Sequence, residues 1–356
     1  MDINAPGSVA ARFVHDDMPM MRSLMKFSLV GLLLVAPANA KAHEGWGIVR
    51  DAYGRRYVAD IPANTIWRID RDGRLEAVLR DVHSHNLVIG ADGNVYGTDV
   101  HLTQPIRGLW RLDMSGRLTH VIPPTRGFAL DLQPFLMSAN GSVYSVSLYQ
   151  AALPPEQRQL FLLRHSSSGA IDTIAGGLKG HTDGIGSAAR FSAIDGMAWL
   201  PDSSLLLVDG TRLRRVTPSG MVETLAGPLT QPSWDQDLMG ASVGSDGAVY
   251  VADFAGRRII RVAGKKVRTV ATTGWFWAPT GVVAAPDGLY TMEHPRAPLG
   301  ILGDIGIGAY LRIRHIRPDG TVAVLARGWG RHTKLVAGFA GGIATLMLGA
   351  LMWRRK

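Results

Sequence analysis

The chain has 356 residues, 46% of them hydrophobic, and no cysteine, which excludes disulfides, thiolate metal sites and a cysteine nucleophile. Only 19% of residues are charged and low-complexity tracts are absent, so this is not a disordered chain. The net charge of +9 sits unevenly: Arg331, Lys334, Arg354, Arg355 and Lys356 carry five, residues 1–40 balance, and the +4 left on 41–330 is scattered, which argues against a nucleic-acid partner.

Residues 20–40 read MMRSLMKFSLVGLLLVAPANA. Arg22 and Lys26 precede an apolar run from Phe27 to Ala36, and Ala38-Asn39-Ala40 supplies small residues behind it. This layout predicts a secretory signal within 1–40, with Met20 or Met21 as the true start. The apolar run is short for a bilayer span.

A pattern then recurs six times across 41–330: an apolar strand, a tight turn, a strand often ending in Asp, a longer loop, a strand of the form apolar-Arg-apolar, a second tight turn, and a last apolar strand. Equivalent positions are Tyr57, Tyr96, Tyr144, Leu206, Tyr250 and Tyr290. The first turns are AYGR, ADGN, ANGS, PDSS, SDGA and PDGL. The second are RDGR, MSGR, SSGA, PSGM, AGKK and PDGT. Nearly all contain glycine, the residue tight hairpins demand. Paired hairpins at this period predict an all-β, six-bladed β-propeller, each blade complete in itself.

After the repeats, Leu335 to Met352 is 18 residues without a charge, followed at once by Trp353-Arg354-Arg355-Lys356. At about 1.5 Å per residue this is ~27 Å of helix, close to a bilayer's hydrocarbon thickness. Residues 331–356 are therefore expected to be a C-terminal transmembrane anchor with a basic tail. An exported propeller would then stand on the periplasmic or extracellular face.

Strand order places all twelve tight turns at one end of the ring and the long connections at the other. Six histidines map to that loop-rich end: His43, His83, His85, His101, His181 and His294. Trp46, Trp234, Trp275 and Trp277 join them, marking a recognition face. Innermost strands begin there, with Glu44, Asn86, Gln133, Asp195, Asp237 and Thr280 at their starts. Converging carboxylate and carboxamide oxygens suit a hard divalent cation such as Ca²⁺, whereas neighbouring imidazoles suit Zn²⁺. Such a metal could polarise a carbonyl or acidify water. No GxSxG elbow, HExxH helix or phosphate-cradling glycine loop is present.

The stretches GGLKGHTDGIGSAARFSAIDGMAWLPDSSLLLVDGTRLRRVTPSGMVETLAG (176–227) and SVGSDGAVYVADFAGRRIIRV (242–262) resemble NHL repeats. EGWGIVRDAYGRRYVADIPANTIWRID (44–70), NLVIGADGNVYGTD (86–99) and DGMAWLPDSSLLLVD (195–209) resemble blades of the gluconolactonase / senescence-marker-protein (regucalcin-like) family. That resemblance implies a metal site made by Glu44, Asn86 and Asp195, with Asp195 as a catalytic candidate. His294 is a second catalytic candidate on other grounds: it follows Glu293 and opens the longest insertion, placed to act as base or ligand. His85, Trp46 and Trp277 are the ligand-binding candidates on the rim. Two functions stand side by side. One is a tethered propeller that binds a small-molecule ligand or protein partner on its loop-rich face. The other is a divalent-metal-dependent lactone or ester hydrolase. NHL-like amidating lyases, which bind zinc through channel histidines, add a third use for His85 and His294.

Overall fold

A computed structural model describes residues 46–329 apart from 62, 71, 102–105, 127–130, 148–152, 233–236 and 296–308. The predicted signal region (1–40) and anchor (331–356), together with Glu44, lie outside the described residues. Among the described residues no helix is long and apolar enough to cross a membrane.

Among the described residues, twenty-five strands form six antiparallel sheets. Blade 1 holds β1 (Ile48–Arg50), β2 (Arg56–Asp60), β3 (Thr65–Ile69) and β4 (Leu75–Arg80). Blade 2 holds β5 (Leu87–Ile89), β6 (Val95–His101), β7 (Ile106–Leu112) and β8 (Leu118–Arg126). Blade 3 holds β9 (Asp131–Met137), β10 (Val143–Val146), β11 (Gln159–His165) and β12 (Ile171–Leu178). Blade 4 contains β13 (Gly184–Ile185), β14 (Ile194–Trp199), β15 (Leu205–Asp209), β16 (Arg212–Val216) and β17 (Met221–Ala226). Blade 5 holds β18 (Leu238–Val243), β19 (Val249–Asp253), β20 (Arg258–Ala263) and β21 (Lys266–Thr272). Blade 6 holds β22 (Trp277–Ala285), β23 (Gly288–Pro295), β24 (Ala309–Ile316) and β25 (Val322–Trp329). The inter-blade stretch 176–191, expected to be loop, contributes the short β13, a fifth strand paired to the outer edge of β17.

Register confirms the repeat residue by residue. Tyr57, Tyr96, Tyr144, Leu206, Tyr250 and Tyr290 each stand directly across from the third-strand basic residue of their own blade: Arg68, Arg111, Arg164, Arg215, Arg261 and His315. These pairs sit near the tight-turn end. There Arg111, Arg215 and Arg261 pair with the turn residues Asp92, Asp202 and Asp246. The turns themselves are set by side chains. Asp51, Asp92, Asn140, Asp202 and Asp246 each accept a hydrogen bond from the backbone N–H two residues on. In the one first turn without glycine, Ser203 takes the left-handed conformation at φ 63°.

Six apolar clusters hold the blades together, one at each blade boundary. The cluster closing the ring joins Ile48, Val58 and Ile69 of blade 1 to Tyr290, Met292, Leu311 and Ile313 of blade 6. Arg56 reinforces it, lying 4.6 Å over the Tyr290 ring. Both of these blades draw all four strands from one end of the chain, so the ring closes by face packing without strand exchange.

The innermost strands β1, β5, β9, β14, β18 and β22 touch in sequence, and β22 touches β1. Four carry glycine at the same level, and a Cβ there would collide with the neighbouring strand. Added to Gly47 it would lie 2.8 Å from Leu87 N, to Gly196 2.8 Å from Met239 O, to Gly240 2.9 Å from Thr280 O, and to Gly281 2.6 Å from Trp46 O. Only residues without a side chain let six strands crowd a common axis this tightly.

Candidate functional site: the loop-rich channel mouth

The acids that end the second strands are structural anchors. Asp60 accepts from Ala63 N at 3.1 Å and from Trp67 Nε1 at 2.7 Å. Asp253 accepts from Gly256 N and Arg258 Nε, both at 2.7 Å. Asp209 accepts from Ser192 N and Oγ and from Ala193 N, and it holds Arg214 Nη1 at 2.7 Å, with both side chains fully buried. The same arginines reach chain segments that belong to or follow the preceding blade. Arg214 donates to Thr182 O and Arg190 O, and Arg258 donates to Leu229 O. Asp60 and Asp253 thus fix their own second-to-third-strand loops and Asp209 fixes the lead-in to β14, while the arginines held by Asp209 and Asp253 clamp a neighbouring segment.

Asp195 is different. It sits on β14 at the start of the blade-4 inner strand, beside the register shift that follows Ile194. It is half-buried. Its carboxyl is pushed up to about 7, first by burial and then by the nearby Asp209 and Asp237 carboxylates, while Lys179 pulls the other way. No hydrogen bond to its carboxylate accompanies these charges among the described residues. A carboxyl raised this far is divided between its neutral and charged forms near neutral pH.

Across the mouth, blades 1 and 2 supply a chain of polar rings. His83 Nδ1 lies 3.2 Å from Asn64 Oδ1, and His83 Nε2 lies 2.9 Å from His85 Nε2. Because Asn64 Oδ1 only accepts, His83 carries its proton on Nδ1 and accepts from His85 Nε2–H. Trp46 meets His85 edge-on, with ring centroids 5.5 Å apart, and its backbone N–H donates to His85 O at 3.0 Å. The buried Trp46 Nε1 has no hydrogen-bond partner among the described residues. Asn86, also at this level, donates through Nδ2 to Phe135 O at 2.9 Å, bridging blades 2 and 3.

Blade 6 repeats the strand-end acid with a longer side chain. Fully buried Glu293 takes Arg312 on Oε2, and Arg314 and Thr291 on Oε1. Arg312 also donates to Thr273 O at 2.8 Å and stacks 4.4 Å over the Trp277 ring. Burial holds the Arg312 guanidinium below its ordinary proton affinity. His294, buried at 3% exposure, follows Glu293 on β23, one strand out from the channel. The two rim candidates of this blade are thereby built into a packed cluster.

Trp46, His85 and Asn86 lie together where the inner strands of blades 1 and 2 begin, and Asp195 occupies the equivalent start of the blade-4 inner strand, three inner-strand starts in all. The predicted metal set is present only in part, since Glu44 lies outside the described residues. Among the described residues no three His, Asp or Glu side chains cluster closely enough to hold a metal ion. Asp195 and Asn86 alone do not make a metal cage. Asn64 escapes sequence reading because it reads as loop, and Arg214 and Arg312 because the repeat draws attention to their neighbours. A channel cavity of about 280 Å³ is lined by Trp46 and Asn86 and, further along the inner strands, by Val49, Ile89, Trp199 and Val283 among others.

No protein-family model matches the chain, and no curated protein is similar to it. Solved structures are. A protein of unknown function from Bacteroides thetaiotaomicron shares 15% identity at a TM-score of 0.50, over 71% of this chain and 68% of that one. Virginiamycin B lyase from Staphylococcus aureus gives 16% identity and 0.47, over 80% and 84%. A gluconolactonase from Xanthomonas campestris gives 13% and 0.49, over 70% and 84%. The likeness is one of fold. At these identities the chemistry of the mouth has to be argued from its own residues.

Proposed function

We propose that this propeller binds a small polar ligand at its loop-rich mouth, with Asp195 as the principal recognition group. The observation that carries the reading is the Asp195 carboxyl: half-buried at an inner-strand start, raised to about 7, and set beside two further carboxylates. Excess negative charge around such a carboxylate favours a ligand presenting an ammonium or several hydroxyls. Trp46 and the His83–His85 pair supply a flat apolar surface and imidazole edges opposite, the mixture small-molecule sites use.

A second reading has its own support. A carboxyl titrating near 7 is a competent general base at neutral pH, so Asp195 could deprotonate a water attacking a lactone or ester. The expected cation, Ca²⁺ or Zn²⁺, would need Glu44 alongside Asp195 and Asn86, and it would supply carbonyl polarisation.

One screen separates the two readings. Thermal shifts of the full chain are recorded with polyols, amino sugars, aldonolactones, Ca²⁺ and Zn²⁺, for wild type and Asp195→Asn. Binding predicts stabilisation by organic compounds that the variant loses. Hydrolysis predicts lactone consumption that the variant abolishes. Equal stabilisation of both proteins and no turnover would remove Asp195 from either role.

A further inference from the structure

The loop-rich face carries a second feature, on the rim of blades 5 and 6 and independent of what the mouth binds. Trp275 is 68% exposed and Phe276 38% exposed, side by side in the connection between β21 and β22 with ring centroids 3.6 Å apart. This exposure does not come from a slack loop. Thr273 N and Oγ1 both donate to Arg257 O, Arg257 Nη1 donates to Trp275 O at 3.1 Å, and Arg312 Nη2 holds Thr273 O. Backbone and guanidinium bonds brace the connection from both sides while the two rings project outward. Arg257, on the next loop, and exposed Arg327, on β25, flank them with positive charge.

The path of the chain says what this patch meets. Strand directions alternate through blade 6, so β25 ends at the loop-rich end, on the same edge where β22 begins. Three inter-strand spacings of about 4.8 Å separate these strands, so Trp329 follows roughly 15 Å from the aromatic loop. Only five residues, Gly330-Arg331-His332-Thr333-Lys334, then stand before the uncharged stretch Leu335–Met352. Fully extended, that connection reaches about 20 Å.

We infer that the loop-rich face lies against the bilayer into which residues 335–352 insert, with Trp275 and Phe276 seated at the headgroup level. A tether this short cannot hold the opposite, tight-turn end toward the membrane. The exposed indole–phenyl pair with flanking arginines is the side-chain mixture that settles at an anionic interface. The mouth would consequently open toward the lipid surface and admit its ligand from the side.

The absence of cysteine makes the test direct, because a single introduced thiol is the only one. Full-length protein is reconstituted into phosphatidylcholine/phosphatidylglycerol vesicles, and flotation confirms association. Spin labels are attached at Thr272→Cys, beside the aromatic loop, or at Tyr53→Cys, 66% exposed in a tight turn. Collision with an aqueous nickel chelate should be several-fold lower at 272 than at 53. Adding Trp275→Ser and Phe276→Ser to the 272 protein should raise its accessibility toward that of 53. Equal accessibility at 272 and 53, no effect of the two serines, or failure to float would each overturn the inference. None of these outcomes bears on ligand binding at Asp195.

Discussion

Replacing Asp195 by asparagine removes a carboxyl that the folded protein keeps protonated up to about 7, against about 3.9 for the unfolded chain. The sign follows from proton counting. Below about pH 4 both states hold the proton and the group costs nothing. Between pH 4 and 7 the unfolded chain releases it while the native protein retains it, so stability falls as pH rises through this window and levels off above it. Three pKa units correspond to about 4 kcal/mol at 1.36 kcal/mol each. Because the group is only half-buried, solvent screening reduces this to about 2–4 kcal/mol. Wild type should therefore lose about 4–8 °C in melting temperature relative to Asp195→Asn between pH 4 and pH 8, at roughly 2 °C per kcal/mol for a domain of this size. The difference between the two proteins cancels every other titrating group. Melting curves of both across that range give the answer. A difference that stays flat, or grows in the opposite direction, would refute the assignment of a raised pKa to this carboxyl.

Three further substitutions probe the frame of the propeller. Gly281→Ala would put a methyl 2.6 Å from Trp46 O at the ring closure and should cost about 2–3 kcal/mol in urea unfolding, while Gly177→Ala, with 3.5 Å to Ser187 O, should change stability by less than about 0.5 kcal/mol. Arg214→Met strands the buried Asp209 carboxylate without its cation and should cost about 3–5 kcal/mol. A loss under about 1 kcal/mol would show that the backbone donors of Ser192 and Ala193 suffice alone.

The architecture was readable because its determinants are local. Most hairpins announce themselves through an Asx residue or a glycine, and the Tyr-to-Arg cross-strand pair repeats within a few tens of residues. Blade count and the segregation of long loops followed from that spacing, whereas the manner of ring closure needed the packing of blade 1 on blade 6. The site was legible only in outline. Asp195 could be placed at an inner-strand start, but its elevated proton affinity depends on Asp209, Asp237 and Lys179, which the ring brings near from three separate stretches. The Asn64–His83–His85 chain joins two blades and has no sequence spacing to betray it. His294 read as a loop residue opening a long insertion, whereas the structure continues β23 through Pro295 and buries it. The strand-end acids were visible as a pattern, but their partners, the arginines reaching segments of the preceding blade, required three dimensions.

The most direct test of the central claim is the position of a bound compound. A crystal structure of the protein with the tightest compound from the thermal-shift screen should show that compound at the loop-rich mouth, with an ammonium or hydroxyl in hydrogen-bond contact with the Asp195 carboxylate and its body against Trp46 and His85. A compound seated instead in the channel cavity out of reach of the Asp195 carboxylate, or between blades, would contradict the account.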